Sequence, residues 1–535
     1  MVSAENGALA GAKVGGLGDV VREAPLALAG KGCTVSVVTP SYGFLHRRQG
    51  ASPVRSLSFP AYGTDQQALL YEVQAQARAP GVRHYVIDHP IFAWRPDGSR
   101  ADGIYCIDPP EAPFATDATR FAFFGAAVAA AVQAGVLGTP DVLHLHDWHA
   151  AMLLILRQYD TTCQFLRRPR CIFSIHNLAL QGVRPFEGSP SSLAAWYPRL
   201  TLPRAEIADP RWLNCVNPMA AGIRLADAVH TVSPTYAEEI LQPSDPPRFF
   251  GGEGLEPDLE AACSQGRLFG ILNGCSYPRE RRPPILSFGE LCGLLKETVL
   301  GWAGRAPRIA PPHFVAHSRL ADWGARSDRA PMVLTAVTRV VEQKIYLMKA
   351  PVPGGRPALH ALLEALGSGG LFILLGAGDA DYEQFLSATS ARFRNFIFLN
   401  GYSDEAARAL YANGDLFVMP SSFEPCGISQ MLAMRDGQPC VVHRVGGLKD
   451  TVTDGVNGFS FEGRTVGEQA ENFVAACLRA VELRRAEPEN WQALRRNAAA
   501  ARFSWDDTAA GYLAQLYHMQ SSEHHPRTPD RNRIQ

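Results

Sequence analysis

The chain has 535 residues, 46% hydrophobic and 19% charged, with a formal net charge of −1 at neutral pH. That length exceeds one ordinary core and implies two or three domains, while the charge balance excludes a global field favouring nucleic acid or an anionic membrane. Eleven cysteines without a Cys-x-x-Cys pair read as reduced thiols of a cytoplasmic protein and exclude a disulfide framework.

No long apolar run precedes Lys13, so no signal peptide is expected. Lys13-Val14-Gly15-Gly16-Leu17-Gly18-Asp19-Val20 reads as a glycine-rich turn opening an amphipathic helix to about Gly30. Glycines let a ligand approach the backbone, and Lys13 adds positive charge where a phosphate would lie. No Gly-Lys-Ser/Thr follows, so this is not a Walker motif, and such a turn is also compatible with a structural role alone. A strand should feed the turn, yet only Met1-Val2-Ser3 stands before Glu5; either that strand is stunted or the sequence begins downstream of its natural start, and a missing upstream segment is the expectation.

Short β-branched runs follow at 34–38, 84–87, Val142–His146, 171–175 and 228–232. A second series occupies 332–336, 371–375, 396–399, Leu416–Met419 and Cys440–His443. Helical patterns alternate with them, which predicts α/β architecture with two doubly wound parallel sheets. Ligands of such sheets bind beyond the carboxyl ends of the strands. The Ala-rich run 121–136 carries Gln133 and is too short to span a membrane, so it reads as a buried helix. The Pro/Arg-rich passage 277–285 reads as an interdomain segment, 291–304 and 505–519 as helices, and 520–535 as a disordered tail.

Candidate chemistry sits after the strands. In His144-Leu145-His146-Asp147-Trp148-His149 the spacing does not match a metallohydrolase, and no Cys or Glu pair completes a zinc site. His144 and His146 share one strand face, which predicts a hydrogen-bonded core residue, and Asp147 at the strand end is placed to hold a sugar hydroxyl. His176-Asn177 follows the strand 171–175 at the ligand edge of the sheet. Arg339 and Lys344 follow the first strand of the second series and would neutralise a diphosphate, against the alternative of a solvated helix start. Asp379-Ala380-Asp381 reads as a helix start and not as a metal–nucleotide motif, because acids favour that end.

Pro420-Ser421-Ser422-Phe423-Glu424-Pro425-Cys426-Gly427-Ile428-Ser429 says most. It sets one carboxylate on a turn entering a helix, whose unpaired amides attract anions. Arg444-Val445-Gly446-Gly447-Leu448-Lys449-Asp450 follows about twenty residues later. Together these point to glycosyl transfer from a nucleotide sugar.

In this order, the Lys13 turn, His146-Asp147-Trp148-His149, His176-Asn177-Leu178, Thr231-Val232-Ser233-Pro234-Thr235-Tyr236, Glu342-Gln343-Lys344 and Phe423-Glu424-Pro425-Cys426-Gly427 resemble bacterial glycogen synthases and plant starch synthases, glycosyltransferase family 5. The resemblance implies a GT-B fold, two Rossmann-like domains at 1–274 and 275–504 facing across a cleft, with the helix 505–519 returning to the first. It implies transfer of glucose from ADP-glucose to the non-reducing end of an α-1,4-glucan, with retention, no cofactor and no essential metal. Lys13, Gly15 and Gly16 would meet donor phosphate and sugar, Arg339 and Lys344 the departing ADP, and Glu424 the glucose. Cys426, Gly427 and Ser429 would contact donor through backbone, and Tyr402 would pack on adenine. Asp147, Trp148, His149, His176 and Asn177 would lie on the acceptor and sugar side. The sequence departs from the commonest pattern at Ser422 (usually Arg), Leu180 (Tyr), Ile345 (Gly) and Cys275-Ser276 (Ile-Asp). Competing readings are a retaining GT-B enzyme with a small acceptor, a catalytically impaired glucan-binding relative, and a metal-dependent Asp-x-Asp transferase.

Overall fold

The computed structural model describes residues 1–48, 50–94, 98–101, 103–277, 285–306, 310–326 and 332–519. The expected tail 520–535, and residues 278–284 of the expected interdomain segment, lie outside them. The chain divides into two compact units. Unit 1 comprises Met1–His176, Leu180–His230 and the segment from Trp505; unit 2 comprises Asn177–Ala179 and Thr231–Ser504. The division falls after His230, earlier than the expected boundary at residue 274, and side-chain bonds explain why. Ser233 Oγ donates to the Pro425 carbonyl (2.6 Å), Thr235 Oγ1 to Asp450 (2.7 Å), and the Gly446 amide to the Glu239 carboxylate (2.9 and 3.0 Å).

In unit 1, helix α1 (Gly16–Gly30) precedes strands β1 (Val35–Pro40), β2 (Ser52–Ala61), β3 (Thr64–Val73) and β4 (Val82–Asp88). Helix α2 (Ala115–Gln133), β5 (Val142–His146), α3 (Asp147–Tyr159), β6 (Arg170–Ile175) and β7 (Ala228–Thr231) follow. The sheet runs β2–β3–β4–β1 on one side and β5–β6–β7 on the other. Val2 joins the halves, bridging Val38 and Leu145 in parallel, with its amide on the His144 carbonyl (2.9 Å). The centre of the sheet is therefore held by a single bridging residue. Counting Val2 first, the spatial order β4–β1–Val2–β5–β6–β7 is that of a nucleotide-binding sheet, and its switch point lies between Val2 and β5. The hairpin β2–β3 had no counterpart among the predicted strands; most of its outward positions are polar and its two strands alternate, so no apolar run marks it.

In unit 2, β8 (Met332–Val337), α4 (Glu342–Lys349), β9 (Gly370–Gly376), α5 (Ala380–Arg392), β10 (Phe396–Asn400), β11 (Leu416–Met419), α6 (Ser429–Arg435), β12 (Cys440–His443), α7 (Gly446–Thr451) and β13 (Gly458–Phe461) build one sheet. Its order is β10–β9–β8–β11–β12–β13, all parallel. Alternate residues go to opposite cores: Leu334, Phe372, Phe398 and Val418 to one face, Val333, Leu371, Ile397 and Phe417 to the other. Burial of both faces is why these strands read as continuous apolar runs. The switch point lies between β8 and β11, and the loops after those two strands carry Arg339, Lys344 and Glu424. Asp379 is the N-cap residue of α5 and Asp381 lies in its first turn, as the helix-start reading predicts.

The Ala-rich helix α2 is buried over nearly its whole length. Among the described residues no helix is long and apolar enough to cross a membrane. All eleven cysteines are free thiols.

Candidate active site

Unit 2 gathers its candidate residues where the sheet order reverses. After β8 the chain crosses Thr338-Arg339 and enters α4, which carries Lys344 inward; after β11 it crosses Ser421-Ser422-Phe423 to Glu424. Gln343 ties the two loops together. Its carbonyl accepts from the Ser422 amide (2.8 Å) and hydroxyl (3.2 Å), and its side-chain amide donates to the Phe423 carbonyl (2.9 Å). Ser422 thus serves as a link between the two segments. Lys344 and Glu424 are then brought together as a buried ion pair, 9% and 7% exposed. Ser421 Oγ adds a hydrogen bond to the same carboxylate oxygen (3.0 Å). Burial lowers the Lys344 ammonium from its ordinary value, and the Glu424 carboxylate opposes that shift. Arg339 stands exposed nearby, close enough to act against the Lys344 charge. Among the described residues it makes no ion pair, so its guanidinium is available to an incoming anion.

The turn Cys426-Gly427 leads into α6 with no side chain capping its start, so the helix entry at Ile428-Ser429 keeps donors of its own. Cys426 is buried, and burial pushes its thiol up. Gly446 has φ of +43°, and a Cβ there would overlap the Glu424 carbonyl. The Gly-Gly turn is therefore packed against the Glu424 loop, and its first amide is given to Glu239. Burial raises Glu239 to about 7. Tyr402 follows β10 and is 64% exposed, with its backbone carbonyl held by Trp302 Nε1 (3.2 Å) and its hydroxyl donating to Asp404.

Unit 1 presents a second cluster at its own switch point. Asp147 turns from β5 into α3 with φ of +57°, a conformation that Asp tolerates better than most residues. Its Oδ1 accepts the His176 amide at 2.7 Å, joining the ends of β5 and β6. His146 Nδ1 lies 3.0 Å from His176 Nε2. His144, on the same strand face, contacts Tyr517 OH (2.7 Å) and Ser174 Oγ (2.5 Å), and Ser174 contacts His230 (2.7 Å). Both strand histidines are therefore hydrogen-bonded core residues. Burial holds His144 and His146 well below the usual imidazole range and His176 at about 3, so all three are neutral near pH 7. Among the described residues no group of three or more His, Cys, Asp or Glu is placed to hold a metal ion.

Three expectations change. Trp148, expected on the acceptor side, is 2% exposed and packs edge-on to Phe114 and Phe121. His149 is enclosed by Trp148, Phe121 and Tyr105, and burial lowers it to about 3. Both side chains point into this aromatic cluster; burial of their rings drew them inward. At the glycine-rich turn, the Val14 and Gly15 amides already bond Glu5 (2.7 and 2.8 Å), and Lys13 pairs with Asp19 (2.7 Å). Gly16 alone has open space around it, since a Cβ there meets nothing within 4 Å. Asn177 accepts from the Ala179 amide (3.0 Å), which shapes the turn after His176. Sequence reasoning missed Glu5, Gln343, Ser421 and Glu239 as site-building residues. Gln343 was the most findable, because it lies between Glu342 and Lys344 in a motif already singled out.

A family model described as the starch synthase catalytic domain matches residues 1–261, and one described as glycosyl transferases group 1 matches residues 356–482. The chain is 31% identical over 510 residues to a glycogen synthase of Desulfitobacterium hafniense, covering 94% of this chain and 95% of the relative. It is 30% identical to a glycogen synthase of Koribacter versatilis, covering 94% of each. Among solved structures, the catalytic domain of starch synthase IV from Arabidopsis thaliana, bound to ADP and acarbose, matches with a TM-score of 0.73 and 25% identity over 97% of this chain and 98% of that one. A sucrose-phosphate synthase from Thermosynechococcus elongatus matches at 17% identity and a TM-score of 0.53, a likeness of fold alone. The two Rossmann-like units are those of the GT-B fold.

Proposed function

The chain belongs to the family of glycogen and starch synthases, and on that premise we propose that it transfers the glucosyl group of ADP-glucose to the non-reducing end of an α-1,4-glucan with retention of configuration. The observation that carries this reading is the buried Lys344–Glu424 pair, with Arg339 exposed beside it, at the switch point of unit 2. Cleavage of the anomeric bond builds positive charge on the sugar and negative charge on the departing phosphate. Lys344, held by its buried pair with Glu424, and the uncapped start of α6 are set before reaction, and together with Arg339 they stabilise the phosphate charge, which is the efficient way to lower a barrier. Glu424 holds glucose hydroxyls, and Tyr402 offers its exposed ring to adenine. Within unit 1, Asp147 and His176 are assigned to sugar and acceptor, held by the hydrogen bond between them.

The similarity to the catalytic domain of starch synthase IV, bound to ADP and acarbose, supports this assignment. We further propose that no metal or cofactor enters the reaction and that the protein works in the cytoplasm, where its eleven free thiols stay reduced. The test offers labelled ADP-glucose and UDP-glucose in parallel with glycogen, maltose and phosphate, with and without chelator. Chelator-insensitive labelling of glycogen from ADP-glucose is expected. Labelling only of a small acceptor, or none with either donor, would overturn the assignment.

A further inference from the structure

His146 is fully buried, and it is bonded directly to a candidate site residue. Its ring stacks on His144 at 4.4 Å between centroids, so it is held on one side by a ring that is itself fixed at both nitrogens. Between His146 Nδ1 and His176 Nε2, 3.0 Å apart, one nitrogen must donate and the other accept. Both rings are neutral, so each carries a single N–H.

The second nitrogen of His146 decides which ring donates. His146 Nε2 is buried and has no hydrogen-bond partner. A proton on Nε2 would strand that ring's only N–H in the core, while a proton on Nδ1 satisfies it and leaves only a bare lone pair. Orphaned buried N–H groups are rarer than unfilled acceptors. We infer that His146 donates from Nδ1 to His176 Nε2 and so fixes His176 in the tautomer whose N–H lies on Nδ1. His146 is a positioning residue. His176 is then a hydrogen-bond donor at its half-buried edge, suited to an oxygen of the hexose or of the leaving phosphate, and it is not the base that takes the acceptor's proton. The inference rests on the glucosyl-transfer reading for its kinetic consequence, though the tautomer itself does not.

The test compares His146→Leu, which keeps bulk and loses the donor, with His146→Asn, whose side-chain amide can place an N–H where Nδ1 stood. With ADP-glucose and glycogen, His146→Leu should lower kcat by about tenfold to a hundredfold, the scale of a misaligned reacting group, with KM for ADP-glucose changed less than about threefold. His146→Asn should recover most of that loss. Equal impairment of the two variants at matched thermal stability, or full activity of His146→Leu, would overturn the inference. Should neither variant fold, nitrogen NMR of wild-type protein labelled at histidine decides it: the His176 ring proton is expected on Nδ1, and a proton on Nε2 would overturn the assignment. A wild-type protein inactive toward every donor would remove the proposed reaction while leaving the NMR result to stand by itself.

Discussion

Lys344 donates to the Glu424 carboxylate across 80 residues of sequence, because β8 and β11 are neighbours in the sheet and each loop leaves its strand toward the same point. The pair is enclosed, and such pairs tolerate the loss of one partner poorly, since the remaining charge stays buried. Glu424→Gln should lower turnover by at least about a hundredfold and destabilise the protein by about 3 kcal/mol. Adding Lys344→Met should restore stability without restoring turnover. Denaturant melts and initial rates with labelled ADP-glucose measure both, and near-normal turnover in folded Glu424→Gln would remove Glu424 from the reaction.

Arg339 has no ion pair among the described residues and is exposed, so its charge costs little to keep and little to lose in the empty protein. Arg339→Ala should leave the melting temperature within about 1 °C while raising KM for ADP-glucose at least about tenfold. The glucan KM should move much less. Equal weakening of donor and glucan would argue against a phosphate contact.

Two glycines separate a structural demand from a ligand's demand. At Gly446 the backbone is left-handed and a Cβ meets the Glu424 carbonyl, so Gly446→Ala should cost about 2 kcal/mol or more and abolish activity together with stability. At Gly16 a Cβ meets nothing. Gly16→Ala should leave stability unchanged or slightly raised, and lose donor affinity only if a ligand fills that space. Thermal melts beside donor KM values distinguish the two.

Glu239 carries a pH dependence whose sign follows from burial. Its folded value of about 7 lies above the ordinary glutamate value of 4.5, so between these pH values the folded state binds more protons than the unfolded one. The stability it contributes is complete below pH 4.5 and declines as pH rises to about 7. Relative to Glu239→Gln, the wild type should lose on the order of 1–3 kcal/mol between pH 5 and pH 8. Parallel stability curves for the two proteins would show that Glu239 does not titrate in that range.

Save for β13, a four-residue strand opening on glycine, the parallel strands of both sheets were legible because burial on both faces makes an apolar run, and the Glu424, Lys344, Asp147 and His176 motifs were legible because each follows such a run. The hairpin β2–β3 was not, since half of its residues face away from the core and break that signal. Trp148 and His149 were placed with the ligand because they adjoin Asp147 in sequence. A helix sends successive residues in different directions, and α3 turns these two inward.

Residue order by itself determined the α/β class, the alternation of strands and helices, and which loops carry charge beside glycine. Only the tertiary structure decided who pairs with whom. Val2 completes the first sheet with one bridging residue, Glu239 reaches the Gly446 amide from 207 positions away, and His146 meets His176 across neighbouring strands. The reason is that periodicity and turn chemistry act over a few residues, whereas the partner of a buried polar atom is set by which strands lie side by side, and strand order leaves no local trace.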